Sequence, residues 1–372
     1  MERARIGVAG TSWWADAMYL PAITGHPRAD IRAVVGGSRP EHTREFAAQW
    51  GIPAAYDSLD AMLDAEELDI LLVLTANKSH KATALAALER GISVLCEKPL
   101  ALSAADAREM AEAAERAGVA TAVPFTYRNM PANVYLHELV DQGWIGRPYH
   151  LNLRYYTGFG RSGEYAWRFD VGEAGSGILG DLGSHWVDMA RWLYGEIRAV
   201  SAVMSHIVPR GPRPDGAPFE VADDAVILAL EFENGATGSL HLTSLAHEPG
   251  PFGQRHELDL HGSGGTLRSM CDWKTIQRVE GCRADETTPR ELPIPEHIWK
   301  GARRDTVHNT YRDVFRTQES MTRAFVTAVA EGGRVRPDFA DGLAVQRVLE
   351  AADWSARQGR RVTIEEVIAA GG

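Results

Sequence analysis

Short apolar runs at residues 5–9, 31–37, 69–75, 92–96 and 119–123 read as buried strands, each closed by glycine or polar punctuation. Between them, residues 14–23, 40–50, 79–90 and 103–117 repeat their apolar positions at helical spacing. Ser103 and Asp106 head the last of these with the spacing of a helix-opening cap. Strands alternating with helices in this way predict a doubly wound parallel sheet in an α/β domain. After residue 124 the pattern changes. Residues 131–142 continue as a helix, but 150–157, 200–208, 224–232, 238–245, 256–262 and 266–270 alternate as strands, several of them joined by Gly or Asn-Gly turns. A second, α+β domain with a large, mostly antiparallel sheet follows from that. A Pro-rich connector occupies 209–218, and residues 310–330 and 341–357 read as helices.

At 372 residues the chain exceeds one ordinary core, which agrees with two domains. The net charge of −11 argues against a nucleic-acid or anionic-membrane surface. No apolar run approaches the ~20 residues that span a bilayer, and the opening MERARIGVAG lacks a signal-peptide core. Cys96, Cys271 and Cys282 show neither metal spacing nor a disulfide framework, so reduced thiols and a cytoplasmic location are expected.

Candidate chemistry gathers where the first-domain strands end. Gly10-Thr11-Ser12-Trp13-Trp14-Ala15 follows the first strand as a degenerate dinucleotide fingerprint. Gly10 suits the tight turn, Ser12 is small where a pyrophosphate approaches, and a helix starting near Trp14 aims its amides at the phosphates. The second strand ends in Gly36-Gly37-Ser38-Arg39, with no carboxylate before Glu41. Ser38 and Arg39 offer a hydroxyl and a cationic fork to a 2′-phosphate, which favours NADP over NAD; a plain turn with an exposed arginine is the alternative. Thr75 and Asn77 follow the next strand and suit the nicotinamide or ribose end, as does His80 unless it merely opens the following helix. Glu97 and Lys98 close the strand at 92–96, where open α/β sheets place their ligands, and Pro99 stiffens the chain there.

The second cluster is Gly175-Ser176-Gly177-Ile178-Leu179-Gly180-Asp181-Leu182-Gly183-Ser184-His185-Trp186-Val187-Asp188. A helix from Leu179 puts Asp181, His185 and Asp188 on one face. A histidine beside a carboxylate is a natural proton-transfer pair; a capping Asp181 and a core His185 are the alternative. No third ligand stands at metal spacing, so no metal is expected.

Taken together, these motifs resemble the Gfo/Idh/MocA family of sugar and cyclitol oxidoreductases. The likeness rests on Ile6-Gly7-Val8-Ala9-Gly10-Thr11-Ser12, on Glu97-Lys98-Pro99 and Trp167-Arg168, and on the 175–188 run. The closing Asp338-Phe339-Ala340-Asp341-Gly342-Leu343 adds to it. The resemblance implies a Rossmann domain at 1–124, a substrate-binding and oligomerisation domain at 125–337, and a C-terminal helix at 338–372 packing back on the first. It implies a homodimer or homotetramer through the second sheet. Lys98, Asp181 and His185 become the catalytic trio, with His185 as general acid/base and Lys98 polarising the reacting oxygen. Ser12 and Gly37 depart from the family pattern and bear on cofactor choice.

A sugar, inositol or related polyol is the implied substrate. Tyr127, Arg128, Tyr155, Trp167 and Arg168 are the expected contacts beside Asp181 and His185; His241 and Asn309 are candidates by position only. Arg168 invites an acidic substrate group, with Asp170 or Glu164 as its alternative structural partner. Two other functions fit the same resemblance: an NAD-dependent glycosidase with no net redox change, and a non-catalytic nucleotide-sensing regulator.

Overall fold

The computed structural model describes residues 3–37, 39–248, 253–273 and 277–372. It contains two compact units, residues 1–124 with 312–344 and residues 125–311 with 345–372.

The first unit is built on six parallel strands: Ala4–Ala9 (β1), Ala29–Val35 (β2), Ala54–Tyr56 (β3), Ile70–Val73 (β4), Ser93–Cys96 (β5) and Thr121–Ala122 (β6). Their order, β3-β2-β1-β4-β5-β6, reverses direction between β1 and β4, the switch point where such sheets bind ligands. Every residue of β4 and β5 is buried. Strands covered on both faces must be apolar throughout, which is why they stand out in the sequence. The helices Pro40–Trp50, His80–Leu88 and Ala104–Ala117 lie where the pattern placed them, and Ser103 Oγ accepts the Asp106 N–H at 3.1 Å. The edge strand β3 and the helix Leu59–Ala65 were not foreseen. None of the three residues of β3 is buried, so no apolar run marks it.

Residues 310–330 form two helices, Val307–Arg316 and Met321–Ala330, in place of the one expected. The break is held by hydroxyls that take helical carbonyls, Thr317 Oγ1 on Asp313 at 2.7 Å and Ser320 Oγ on Val314 at 2.8 Å. Residues 312–344 belong to the first unit. The Val123 N–H donates to the Pro337 carbonyl at 2.9 Å, and a Cβ on Gly342 would come within 2.8 Å of Leu100 Cδ2. The chain passes between the units after residues 124, 311 and 344, against the expected bounds of 124 and 337.

The second unit carries Pro148–Thr157 (β7), Ile197–Ser205 (β8), Ala225–Phe232 (β9), Thr237–Thr243 (β10), Gln254–Gly262 (β11), Gly265–Asp272 (β12), Gln277–Arg283 (β13), Arg290–Glu291 (β14) and Val362–Thr363 (β15). These make one nine-stranded sheet, β14-β13-β12-β11-β7-β10-β9-β8-β15, antiparallel except where β7 and β10 run parallel. Along β7, Leu151, Leu153, Tyr155 and Thr157 are buried while Asn152, Arg154 and Tyr156 are not. That period of two lets a sheet face a core on one side. β15 pairs with Val200 and Ala199 of β8, which ties the last residues of the chain to this unit. Among the described residues no helix is long and apolar enough to cross a membrane.

Candidate active site

In the first unit the candidate residues collect at the carboxyl ends of β1, β4 and β5. Gly10 has φ +116°, and a Cβ there would lie 2.5 Å from the Leu74 carbonyl oxygen. Only glycine fits so strained and crowded a position. Ser12 Oγ then accepts the Ala15 N–H at 3.2 Å and opens the following helix. That helix is not the regular one expected over 14–23: it passes through a wide π turn at Ala15–Tyr19 before Leu20–Ile23.

Glu97, placed by the sequence at the cofactor, braces this helix. Its Oε1 accepts Trp14 Nε1 at 2.8 Å and Tyr19 Oη at 2.6 Å, and its Oε2 accepts the Lys98 N–H at 3.0 Å. A half-buried carboxylate needs such donors, and here they anchor the helix to the residue that carries the candidate cation. Lys98 is half-buried at the end of β5, and the Lys98-Pro99 peptide is cis.

His80, also proposed for the cofactor, is fully buried, with Nδ1 3.0 Å from the Pro99 carbonyl and Nε2 3.2 Å from that of Thr75. Burial lowers its pKa. The ring staples the loop after β4 to the loop after β5, which corrects its assignment as a ligand contact. Asn77 is buried, and Thr75 Oγ1 is buried with no hydrogen-bond partner among the described residues. Trp13 is 62% exposed. The Thr11 carbonyl lies 3.2 Å from His42 Nε2. Arg39 is exposed just before Pro40–Trp50, where its carbonyl accepts the Thr43 N–H at 3.3 Å; Ser38 lies outside the described residues.

These residues fit a dinucleotide. A turn that admits no Cβ, followed at once by the first amides of a helix at the sheet's switch point, is what a pyrophosphate requires.

In the second unit the 175–188 segment folds as a wide π turn, Leu179–Gly183, running into the helix Ser184–Tyr194. Asp223, which the sequence reading missed, fixes its start. The buried carboxylate accepts the Gly177 and Leu179 N–H groups, each at 2.8 Å, and burial raises its pKa. A Cβ on Gly177 would come within 2.1 Å of the Asp223 carbonyl oxygen, which accounts for that glycine. Asp223 lies far along the chain, so no local spacing announces it.

Asp181 therefore lies in the π turn, and His185 and Asp188 in the helix that follows it. Asp188 is fully buried and takes both Arg128 Nε and Nη2. Arg128, expected to touch substrate, is half of this ion pair and lies 5.4 Å from the centroid of the Trp192 ring. Arg168 is paired neither with Asp170 nor with Glu164. Its Nε stands 3.5 Å from Asp181 Oδ2, and its guanidinium lies over Trp167 at 4.6 Å. Asp170 is taken by Arg213 and Tyr165.

His185 is 7% exposed, its ring at 4.7 Å from that of Tyr127 and 6.2 Å from that of Phe125, both edge to face. Tyr127 Oη and Tyr155 Oη lie 2.7 Å apart, and Gln254 Oε1 stands within hydrogen-bond reach of both, at 3.2 and 2.6 Å. Burial holds both phenols well above their ordinary pKa. Behind them Trp273 Nε1 donates to His256 Nε2 at 3.3 Å, and burial pushes the His256 pKa down to about 3. Gln254, His256 and Trp273 were not read from the sequence. His241 sits on the opposite face of the sheet from Tyr155, bonded to Tyr156 at 3.1 Å, and so leaves the site. Asn309 Nδ2 donates to Asp305 at 2.8 Å beside the start of Val307–Arg316. Among the described residues no group of three His, Cys, Asp or Glu could hold a metal ion.

Residues 4–125 match the family model described as an oxidoreductase family with an NAD-binding Rossmann fold, and residues 134–268 match that of the GFO/IDH/MocA C-terminal domain. The chain belongs to the Gfo/Idh/MocA family. As a Gfo/Idh/MocA protein it is an oxidoreductase with an NAD-binding domain. It is 29% identical to levoglucosan dehydrogenase of Pseudarthrobacter phenanthrenivorans, over 99% of this chain and 100% of that one. It is 26% identical to D-apiose dehydrogenase of Paraburkholderia graminis, over 88% of this chain and 81% of the relative. The solved levoglucosan dehydrogenase complex with NADH and levoglucosan superposes with a TM-score of 0.83 at 27% identity, covering 98% of this chain and 100% of that one.

Proposed function

We propose that this protein is an NAD(P)-dependent sugar dehydrogenase, moving hydride between a nicotinamide and a carbinol carbon of a sugar, inositol or related polyol. The observation that carries this reading is the match to levoglucosan dehydrogenase along 99% of the chain, supported by a fold and a Gly10 turn suited to a dinucleotide. The bound dinucleotide supplies the hydride acceptor in oxidation and the donor in reduction. Residues 10–14, with Thr75, Asn77 and Lys98, hold it. His185 takes the hydroxyl proton as general base and returns it in the reverse direction. Lys98 donates a hydrogen bond to the same oxygen and stabilises the negative charge that develops there. Asp181, partnered by Arg168, accepts from a neighbouring hydroxyl or orients the imidazole.

The strand-end segment without a carboxylate supports NADP, whereas the solved relative holds NADH; we take NADP as preferred and NAD as accepted. A homodimer or homotetramer through the second sheet is supported by Val203 and Ile227, which pair across β8 and β9 and are 63% and 51% exposed.

The test is nicotinamide absorbance with NAD and NADP against levoglucosan, aldoses, sugar acids and inositols. Lys98→Ala and His185→Ala should each lower kcat by roughly a hundred- to ten-thousand-fold. Tight dinucleotide binding without turnover on the whole panel would overturn the dehydrogenase reading in favour of a sensor or a glycosidase.

A further inference from the structure

A general base works only if its nitrogen is aimed at the proton it removes, and a misplacement of ~1 Å costs about a hundredfold in rate. The last torsion of a histidine is broad and two-fold, so the helix backbone alone leaves the ring free to turn. In this chain the Tyr127 ring meets the His185 imidazole edge to face at 4.7 Å and 77°.

Tyr127 is itself held at both ends. Its backbone carbonyl accepts Asn133 Nδ2 at 2.9 Å. Its hydroxyl is tied to Tyr155 at 2.7 Å and to Gln254 at 3.2 Å, and Gln254 also takes the Tyr155 hydroxyl at 2.6 Å. Trp186 and His256 close on the ring at 5.2 and 4.9 Å, both edge to face. A side chain 6% exposed, gripped by hydroxyl, ring and backbone, is a wall for the imidazole.

We infer that Tyr127 is a positioning residue for His185, locked in place by Tyr155 and Gln254 and acting on the rate through the imidazole. This rests on His185 being the acid–base group.

The experiment measures kcat, KM and the pH dependence of kcat/KM on the best sugar of the panel, for the full chain and for His185→Ala, Tyr127→Leu, Tyr127→Phe and Gln254→Met. Tyr127→Leu removes the wall and should lower kcat about thirtyfold at nearly constant KM, with the acid limb of the pH profile displaced. Tyr127→Phe and Gln254→Met keep the ring and lose only the hydroxyl lock, and each should lower kcat about threefold. An unchanged kcat and pH profile in Tyr127→Leu, or a loss confined to KM, overturns the inference. Should Tyr127→Leu not fold, the other two decide it: a fall in kcat at constant KM in both supports the inference, and unchanged kcat in either overturns it. Activity retained by His185→Ala would instead overturn the acid–base assignment, a separate result.

Discussion

Arg128 donates from Nε and Nη2 to the two carboxylate oxygens of Asp188, at 2.6 and 2.5 Å, within a region where Asp188 is fully buried. The planar fork matches the carboxylate at both oxygens, and losing either partner removes the paired contact that compensates the other buried charge.

Asp188→Asn should therefore destabilise the protein by about 3–5 kcal/mol, seen as a lower denaturation midpoint, with the KM for sugar little changed. Arg128→Lys should not restore stability, because an ammonium cannot make the paired contact. Normal stability with a tenfold higher KM would return Arg128 to the substrate.

Gly10→Ala should raise the dissociation constant for the dinucleotide at least tenfold and lower the melting temperature. The new methyl would strike the Leu74 carbonyl while the backbone sits at φ +116°, a conformation costing roughly 1–3 kcal/mol for a non-glycine residue. Fluorescence titration with NADH and NADPH reads it; wild-type affinity would show that the turn does not hold the phosphates.

Arg39→Asp should weaken NADPH and leave or improve NADH, since a carboxylate repels a 2′-phosphate and bonds a ribose hydroxyl. The same titration decides, and equal loss for both dinucleotides would remove Arg39 from the site.

His256 bears on acid stability. Its pKa falls from 6.5 in the unfolded chain to about 3 in the folded one, so between those values the unfolded chain binds a proton that the folded chain refuses. Its contribution to stability is complete above pH 6.5 and is lost as pH falls toward 3, by up to about 1.4 kcal/mol per pH unit. Urea unfolding of His256→Phe at a series of pH values should show a shallower acid decline than the parent. Parallel declines would mean that His256 is protonated in the folded protein.

Much of the architecture was legible because burial writes itself into local composition. β4 and β5, buried at every residue, read as continuous apolar runs, and the spacing of Ser103 and Asp106 announced the helix that starts at Ala104. β3 went unread because it is short and none of its residues is buried. The π turns at Ala15–Tyr19 and Leu179–Gly183 were also invisible, since helical periodicity carries no mark for a single wide turn.

Gly10, Lys98, Asp181 and His185 are candidates from the chain alone because each belongs to a short motif whose chemistry depends on neighbours in sequence. What surrounds them depends on neighbours in space. His256 comes opposite Tyr155 only through the pairing of β11 with β7, and Asp223 reaches Gly177 and Leu179 only across the fold. Arg128 and Arg168 look alike as exposed candidates in one dimension. One became a buried partner of Asp188 and the other a neighbour of Asp181. Local sequence determines which groups a chain can offer; the cost of burying an uncompensated charge, settled only when distant segments pack, decides which of them remain available.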